Sequence, residues 1–242
     1  MPISETSSTG SGGVIGFASK FRGSKRLLGP RTGACLIAAA LFFSGGAPGD
    51  ALIPPGGYTP GGNAPGTYRI LLAGQLLVAA PGMRDPRFRQ TVILMIRHDA
   101  SGAFGLIVNR PIGKVKLADL YRQFRLKPPP GAVEVSLFYG GPVRPLAGFV
   151  VHSIEPGFSP RFKVTAEIGV TPIRRVLRAM ARGVKLRRAI FTAGYSGWGA
   201  GQLDGEINRG GWYTAPADED IVLDGKPGTK WPRAKSRRTR TL

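Results

Sequence analysis

Strand-forming runs come in a group in this sequence instead of alternating with helices, and that arrangement limits the fold more than any other feature. Residues 75–80 and 91–97 are short apolar, β-branched runs separated by Pro81, Gly82, Asp85 and Pro86, the pattern of two strands around a turn. His98, Asp99, Ala100, Ser101 and Gly102 supply turn chemistry before a third apolar run at residues 103–108. The second and third strands therefore form a hairpin, and the sheet begins antiparallel. Leu117, Leu120, Tyr121 and Phe124 follow at i, i+3, i+4 and i+7, with Asp119, Arg122, Gln123 and Arg125 between them, which predicts an amphipathic helix ended by the prolines at 128–130.

Val133, Val135, Leu137 and Tyr139 alternate with Glu134, Ser136 and Phe138, the mark of a half-buried strand, and run into the turn Gly140, Gly141, Pro142. Weaker strand signals lie at residues 148–153 and 163–170. Thr171 as N-cap, Pro172 in the first helical position and Gly183 just past the end bracket a second helix. Its apolar face is Ile173, Val176, Leu177 and Met180, and Arg174, Arg175, Arg178 and Arg182 occupy the rest. A strand at 186–193 leads into a glycine-rich loop and a short third helix reaching Asn208. No segment repeats, and no regular βαβ alternation is present, so the pattern predicts an α+β domain over residues 70–231.

The 34 Lys and Arg against 14 Asp and Glu give a formal charge of +20, which calls for either an anionic partner or a reason for self-repulsion. The excess is spread over the body of the chain and concentrated again in a basic tail at 232–242, expected to be disordered. With one cysteine, Cys35, and two histidines, His98 and His152, the sequence offers no metal site, no intrachain disulfide and no implied cofactor.

The N-terminal 51 residues read as a targeting segment. Lys20, Arg22, Lys25, Arg26 and Arg31 precede an apolar run at 34–43, too short to span a hydrocarbon core of roughly 30 Å but suited to a secretory signal. Cleavage is expected near Ala47 or Ala51, which would place the mature chain outside the cytoplasm or in the periplasm. A mis-assigned start codon is the alternative, and would leave the protein cytoplasmic. Residues 52–69, rich in Pro and Gly, read as a linker.

Three segments carry a family resemblance: LLAGQLLVAAPGM at 71–83, the pair GAFGLIVNRP at 102–111 and YGGPV at 139–143, and above all GYSGWGAGQLDGEI at 194–207. They resemble the AlgH/YqgE family, in the family's order and over about two thirds of the chain. The resemblance implies a single domain with a bifurcated, partly barrel-like mixed sheet surrounded by helices. It implies no reaction, although members often carry the label of transcriptional regulator. The long N-terminal extension, the basic tail, the positive charge and Asp204, where Glu is usual, depart from the family pattern.

Two stretches could form a binding site. Gly194, Gly199 and Gly201, with Tyr195, Trp198, Gln202 and Glu206, lie where a strand turns into a helix, a layout that can aim backbone N–H groups at an anion. The spacing is neither a P-loop nor a dinucleotide fingerprint, and the plainer role is a tight crossover in which Trp198 and Tyr195 pack on the core. Gln202 and Glu206 share a helix face; Gln202 can equally cap, and Glu206 can pair with an arginine. Asn109 and Arg110 can grip a carboxylate or phosphate, or act as turn and cap residues at the end of the third strand; Gly140 and Gly141, in their turn, are further candidates for binding. Ser196 lacks the second glycine of a nucleophile elbow, and a triad would need His98 or His152 beside it. The basic helix and tail suit nonspecific contact with lipid surfaces or nucleic acid. The expectation is a binding or regulatory module without evident catalysis; a nucleic-acid-associated regulator and a hydrolase using the 194–202 loop are the alternatives.

Overall fold

The computed structural model describes residues 72–131 and 133–239; the targeting segment, the linker and Cys35 lie outside the described residues. Ten strands form one mostly antiparallel sheet in the order β10-β1-β2-β3-β9-β6-β8-β7, with β4 and β5 branching from it. These are β1 (Gln75–Ala79), β2 (Val92–Asp99), β3 (Gly102–Ile107), β4 (Pro111–Lys116), β5 (Glu134–Tyr139), β6 (Val143–Ser153), β7 (Phe162–Lys163), β8 (Ile168–Pro172), β9 (Ala189–Trp198) and β10 (Trp212–Pro216). Helices α1 (Leu117–Gln123), α2 (Ile173–Ala181), α3 (Gln202–Asn208), α4 (Glu219–Val222) and α5 (Pro227–Ser236) complete the α+β domain.

The hairpin of β2 and β3 is present, its turn closed by Asp99, whose carboxylate accepts from the Ser101 N–H at 2.8 Å. The first helix ends before the prolines as expected. The second begins one residue late. Thr171 pairs with Val150 in the β6–β8 ladder, and its hydroxyl oxygen takes the Arg161 N–H at 3.0 Å, so Pro172 stands at the cap instead. At the other end Gly183, at φ +96°, closes a Schellman turn: its N–H donates to Met180 O and the Val184 N–H to Ala179 O.

Three expectations need correction. The strand predicted at 186–193 starts at Ala189 and continues through Trp198, so most of the supposed glycine loop is strand. Partners hold both of its edges there: β6 on one side, and on the other β5 and then β3. Residues 232–236, expected to be disordered, belong to α5. Trp231 anchors that helix by donating from Nε1 to Ala79 O at 2.9 Å. The barrel-like closure is not found among the described residues, because β10 and β7 end the strand order without pairing with each other. Thr239 instead bonds the outer edge of β10, its N–H donating to Thr214 O at 2.8 Å, and so blunts an exposed edge. Strand β4, unforeseen, is mostly exposed and pairs only with β5.

The bifurcation centres on β9. Leu137, Phe138 and Tyr139 of β5 run parallel to Phe191, Thr192 and Ala193, after which β3 takes over the same edge, with Gly105 opposite Ser196 and Ala103 opposite Trp198. Gly140 sits in the fork, accepting from the Ile107 N–H at 2.9 Å and donating to Ala193 O at 2.8 Å.

Candidate functional site

Around the fork, backbone approaches backbone closely. A Cβ on Gly141 would lie 2.2 Å from the Tyr195 carbonyl carbon, and one on Gly194 2.3 Å from Gly141 O. No side chain fits at either position, so these candidate residues serve the crossing itself. Tyr195 packs its ring edge-on to Phe104 with centroids 5.0 Å apart. Ser196 is fully buried and donates its hydroxyl to Gly140 O at 3.3 Å. The ring nitrogens of His152 are engaged elsewhere. His152 contacts Ser153 O at 2.8 Å and the Thr171 hydroxyl at 3.0 Å, and burial lowers its pKa; His98 Nε2 lies 3.3 Å from Asp204. The triad geometry considered from the sequence is thus not formed.

Past Trp198 the chain turns through Gly199 and Gly201, the latter at φ +69° as the N-cap of α3. Gln202 Oε1 accepts from the Gly199 N–H, and its amide donates to Glu206 Oε1, both at 3.1 Å. The shared helix face was legible; the capping role is not found, because Gln202 takes an N–H that lies before the helix and α3 has no side-chain cap. The partner of Glu206 was not legible. Instead of an arginine it holds two indoles: Oε2 accepts from Trp198 Nε1 at 3.1 Å and from Trp212 Nε1 at 2.9 Å. Trp198 and Trp212 meet edge-on, and Phe88 meets Trp212 in the same way at 5.6 Å.

Asn109 and Arg110 fasten the loop that carries Phe88. Asn109 accepts from the Val92 N–H at 2.9 Å and donates to Gln90 O at 2.8 Å; Arg110 donates to Pro86 O at 3.1 Å and Arg89 O at 2.7 Å. The guanidinium fork thus grips carbonyls of its own chain. Beside it, burial raises the pKa of Tyr139, opposed by the positive charge of Arg87 and Arg110. The two candidate stretches are therefore joined through Phe88, Trp212 and Glu206 into one network, and its polar groups point largely at one another.

Sequence reasoning missed Lys230. Its side chain is fully buried, with Nζ donating to Val222 O at 2.6 Å, 3.6 Å from Asp224 and 5.8 Å from the Phe138 ring centre. Burial pushes its pKa down to about 8 against the pull of Asp224. Its place one residue before Trp231, inside a basic run, gave no sign of this. The rest of that run is also engaged: Arg233 pairs with Asp224 and Arg237 with Asp218, while Lys235 lies over Trp231 and Arg238 over Tyr213.

The comparisons agree with this architecture. The chain is 39% identical over 166 residues to a UPF0301 protein of Paracoccus denitrificans, covering 67% of this chain and 87% of the relative. It is 39% identical over 178 residues to one of Methylocella silvestris, covering 69% and 85%. The solution structure of the AlgH protein of Pseudomonas aeruginosa superimposes with a TM-score of 0.59 at 34% identity, covering 71% of this chain and 91% of that one. The family model described as AlgH-like (DUF179) matches residues 76–240, and with the forked sheet and its glycines in place the chain belongs to the AlgH-like family.

Proposed function

We propose that this protein is a binding or regulatory module that engages an anionic partner and carries no catalysis of its own. One observation supports the reading above others. Polar side chains in the most family-specific stretch bond to groups of their own chain, as in the Trp198–Glu206–Trp212 contact, whereas cations are exposed on the helices. The hydrolase alternative has Ser196 as its nucleophile, and that hydroxyl is buried against Gly140 O. Treating the purified chain with a fluorophosphonate probe, with native mass spectrometry for co-purifying ligands, tests the choice. Absence of label and of a retained small molecule is expected; labelling that disappears in Ser196→Ala overturns the reading.

The same charge favours a second reading, a nucleic-acid-associated regulator. Binding of duplex DNA through charge alone fades steeply with salt and ignores sequence. A footprint at one sequence that survives physiological salt would establish the regulator instead. Export, proposed from the basic lead-in and the apolar run at 34–43, predicts a mature N-terminus between Ala47 and Leu52 by mass spectrometry from the native host. An intact Met1 form in the cytosol refutes it.

A further inference from the structure

We propose that the outer face of the layer formed by α1 and α2 docks on an anionic lipid bilayer. The inference rests on the binding-module reading and assigns it a surface and a partner. Leu117, Leu120 and Tyr121 of α1 share one apolar cluster with Ile173, Val176, Leu177 and Ala179 of α2, and Tyr121 donates its hydroxyl to Leu177 O at 3.0 Å. Both helices therefore cover the same core with their apolar sides and turn their polar sides outward.

What they present is basic. Between Glu167 and Asp204 the sequence has no acidic residue, but it has Arg174, Arg175, Arg178, Arg182, Lys185, Arg187 and Arg188. Arg187 and Arg188 pair with Glu219 and Asp220, and Arg175 donates to Ser159 O. Arg178, Arg182 and Lys185 are exposed without an ion pair among the described residues, as are Arg125 and Lys127 at the end of α1. Arg174 Nε is buried with no hydrogen-bond partner there. Arg174, Arg178 and Arg182 repeat at i, i+4 and i+8, a spacing at which like charges destabilise a helix. Two of the arginines also stand in a first turn that holds no acid, against the helix dipole. At the C-terminal end, by contrast, Arg233 and Arg237 pair with Asp224 and Asp218, and Lys235 and Arg238 lie over Trp231 and Tyr213. Of the two basic segments that the sequence offers for anion contact, the helix and the tail, the structure thus favours the helix, α2.

A bilayer fits this face better than a phosphodiester chain. The surface is two helices wide, and the exposed positions of α2 are arginines and Ala181, so guanidinium groups meet the partner with no polar side chain of another kind among them. Strand β4, which leads into α1, carries exposed Ile112 (52%) along with exposed Lys114 and Lys116, and Val133 (54%) is also exposed. Val133 O accepts the Leu117 N–H at 2.8 Å, so this residue borders the helix itself. Cations beside apolar side chains suit a headgroup boundary.

The test is co-sedimentation of the full chain with phosphatidylglycerol–phosphatidylcholine vesicles, pure phosphatidylcholine vesicles and random duplex DNA at one salt concentration. Binding to the mixed vesicles alone, or more strongly than to DNA, is expected. The double variant Arg178→Gln, Arg182→Gln should bind them about thirtyfold more weakly, at roughly fivefold per arginine, with an unchanged or higher melting temperature. Arg238→Gln in the tail should bind like the parent. If the parent binds but the double variant matches it, α2 is the wrong surface. If DNA is preferred, the partner is a nucleic acid. If the parent binds no anionic probe, the binding-module reading falls as well.

Discussion

Lys230 permits a quantitative test of how the C-terminal helix is held. Its folded pKa of about 8 lies below the ordinary lysine value of 10.5. Between those values the unfolded chain binds more protons than the folded one, so stability rises with pH across that window. Below pH 8 the full cost applies, about 3 kcal/mol at 1.36 kcal/mol per pKa unit. Moving from pH 7 to pH 9.5 should therefore recover about 2 kcal/mol. Lys230→Met fills a similar volume without charge, but it leaves Val222 O without its 2.6 Å donor, a loss of about 1 kcal/mol. The variant should be about 2 kcal/mol more stable than the parent at pH 7, and the gap should close by pH 9.5. Urea denaturation of both proteins at pH 7, 8.5 and 9.5 measures this difference, in which groups common to both cancel. A parent–variant gap that does not change with pH would refute the assignment of a charged, desolvated lysine.

Trp198→Ala should cost about 3–5 kcal/mol, because it opens a cavity against Trp212 and strips Glu206 of one donor, whereas Gln202→Ala should cost about 1 kcal/mol in the same denaturant series. Gly141→Ala should fail to give a cooperative melt, since its Cβ would meet backbone atoms of Tyr195 at 2.2 and 2.4 Å; a parent-like melt would show that the fork is looser than described. His152, whose pKa burial lowers, stays neutral after the unfolded histidine has charged. Stability should accordingly fall as pH drops through about 6.5, and His152→Gln should flatten that fall in thermal melts followed by circular dichroism.

Amphipathic periodicity alone placed α1 and α2, and clustering of β-branched runs with turn residues between them gave the β2–β3 hairpin and the α+β class. These features are local: the side-chain period and the turn chemistry are written into neighbouring residues. Gly183 is a local signal too, since only the end of a helix explains a glycine after that arginine-rich repeat. Tertiary structure decided what glycines 140, 141 and 194 are for. A strand interrupted by glycine reads as a loop, and only the approach of β3 and β6 to β9 keeps residues 195–198 extended. Likewise α5 contains Pro227, Gly228 and Pro232, a composition that argues against a helix, and it is Trp231 on Ala79 O and buried Ala234 that hold it in place. Charge could be counted from the sequence, but not its pairing. Whether an arginine faces a carboxylate depends on residues elsewhere in the chain, such as Asp218 for Arg237, and so the fold alone determines that Arg233 and Arg237 are paired while Arg178 and Arg182 of α2 have no ion pair among the described residues.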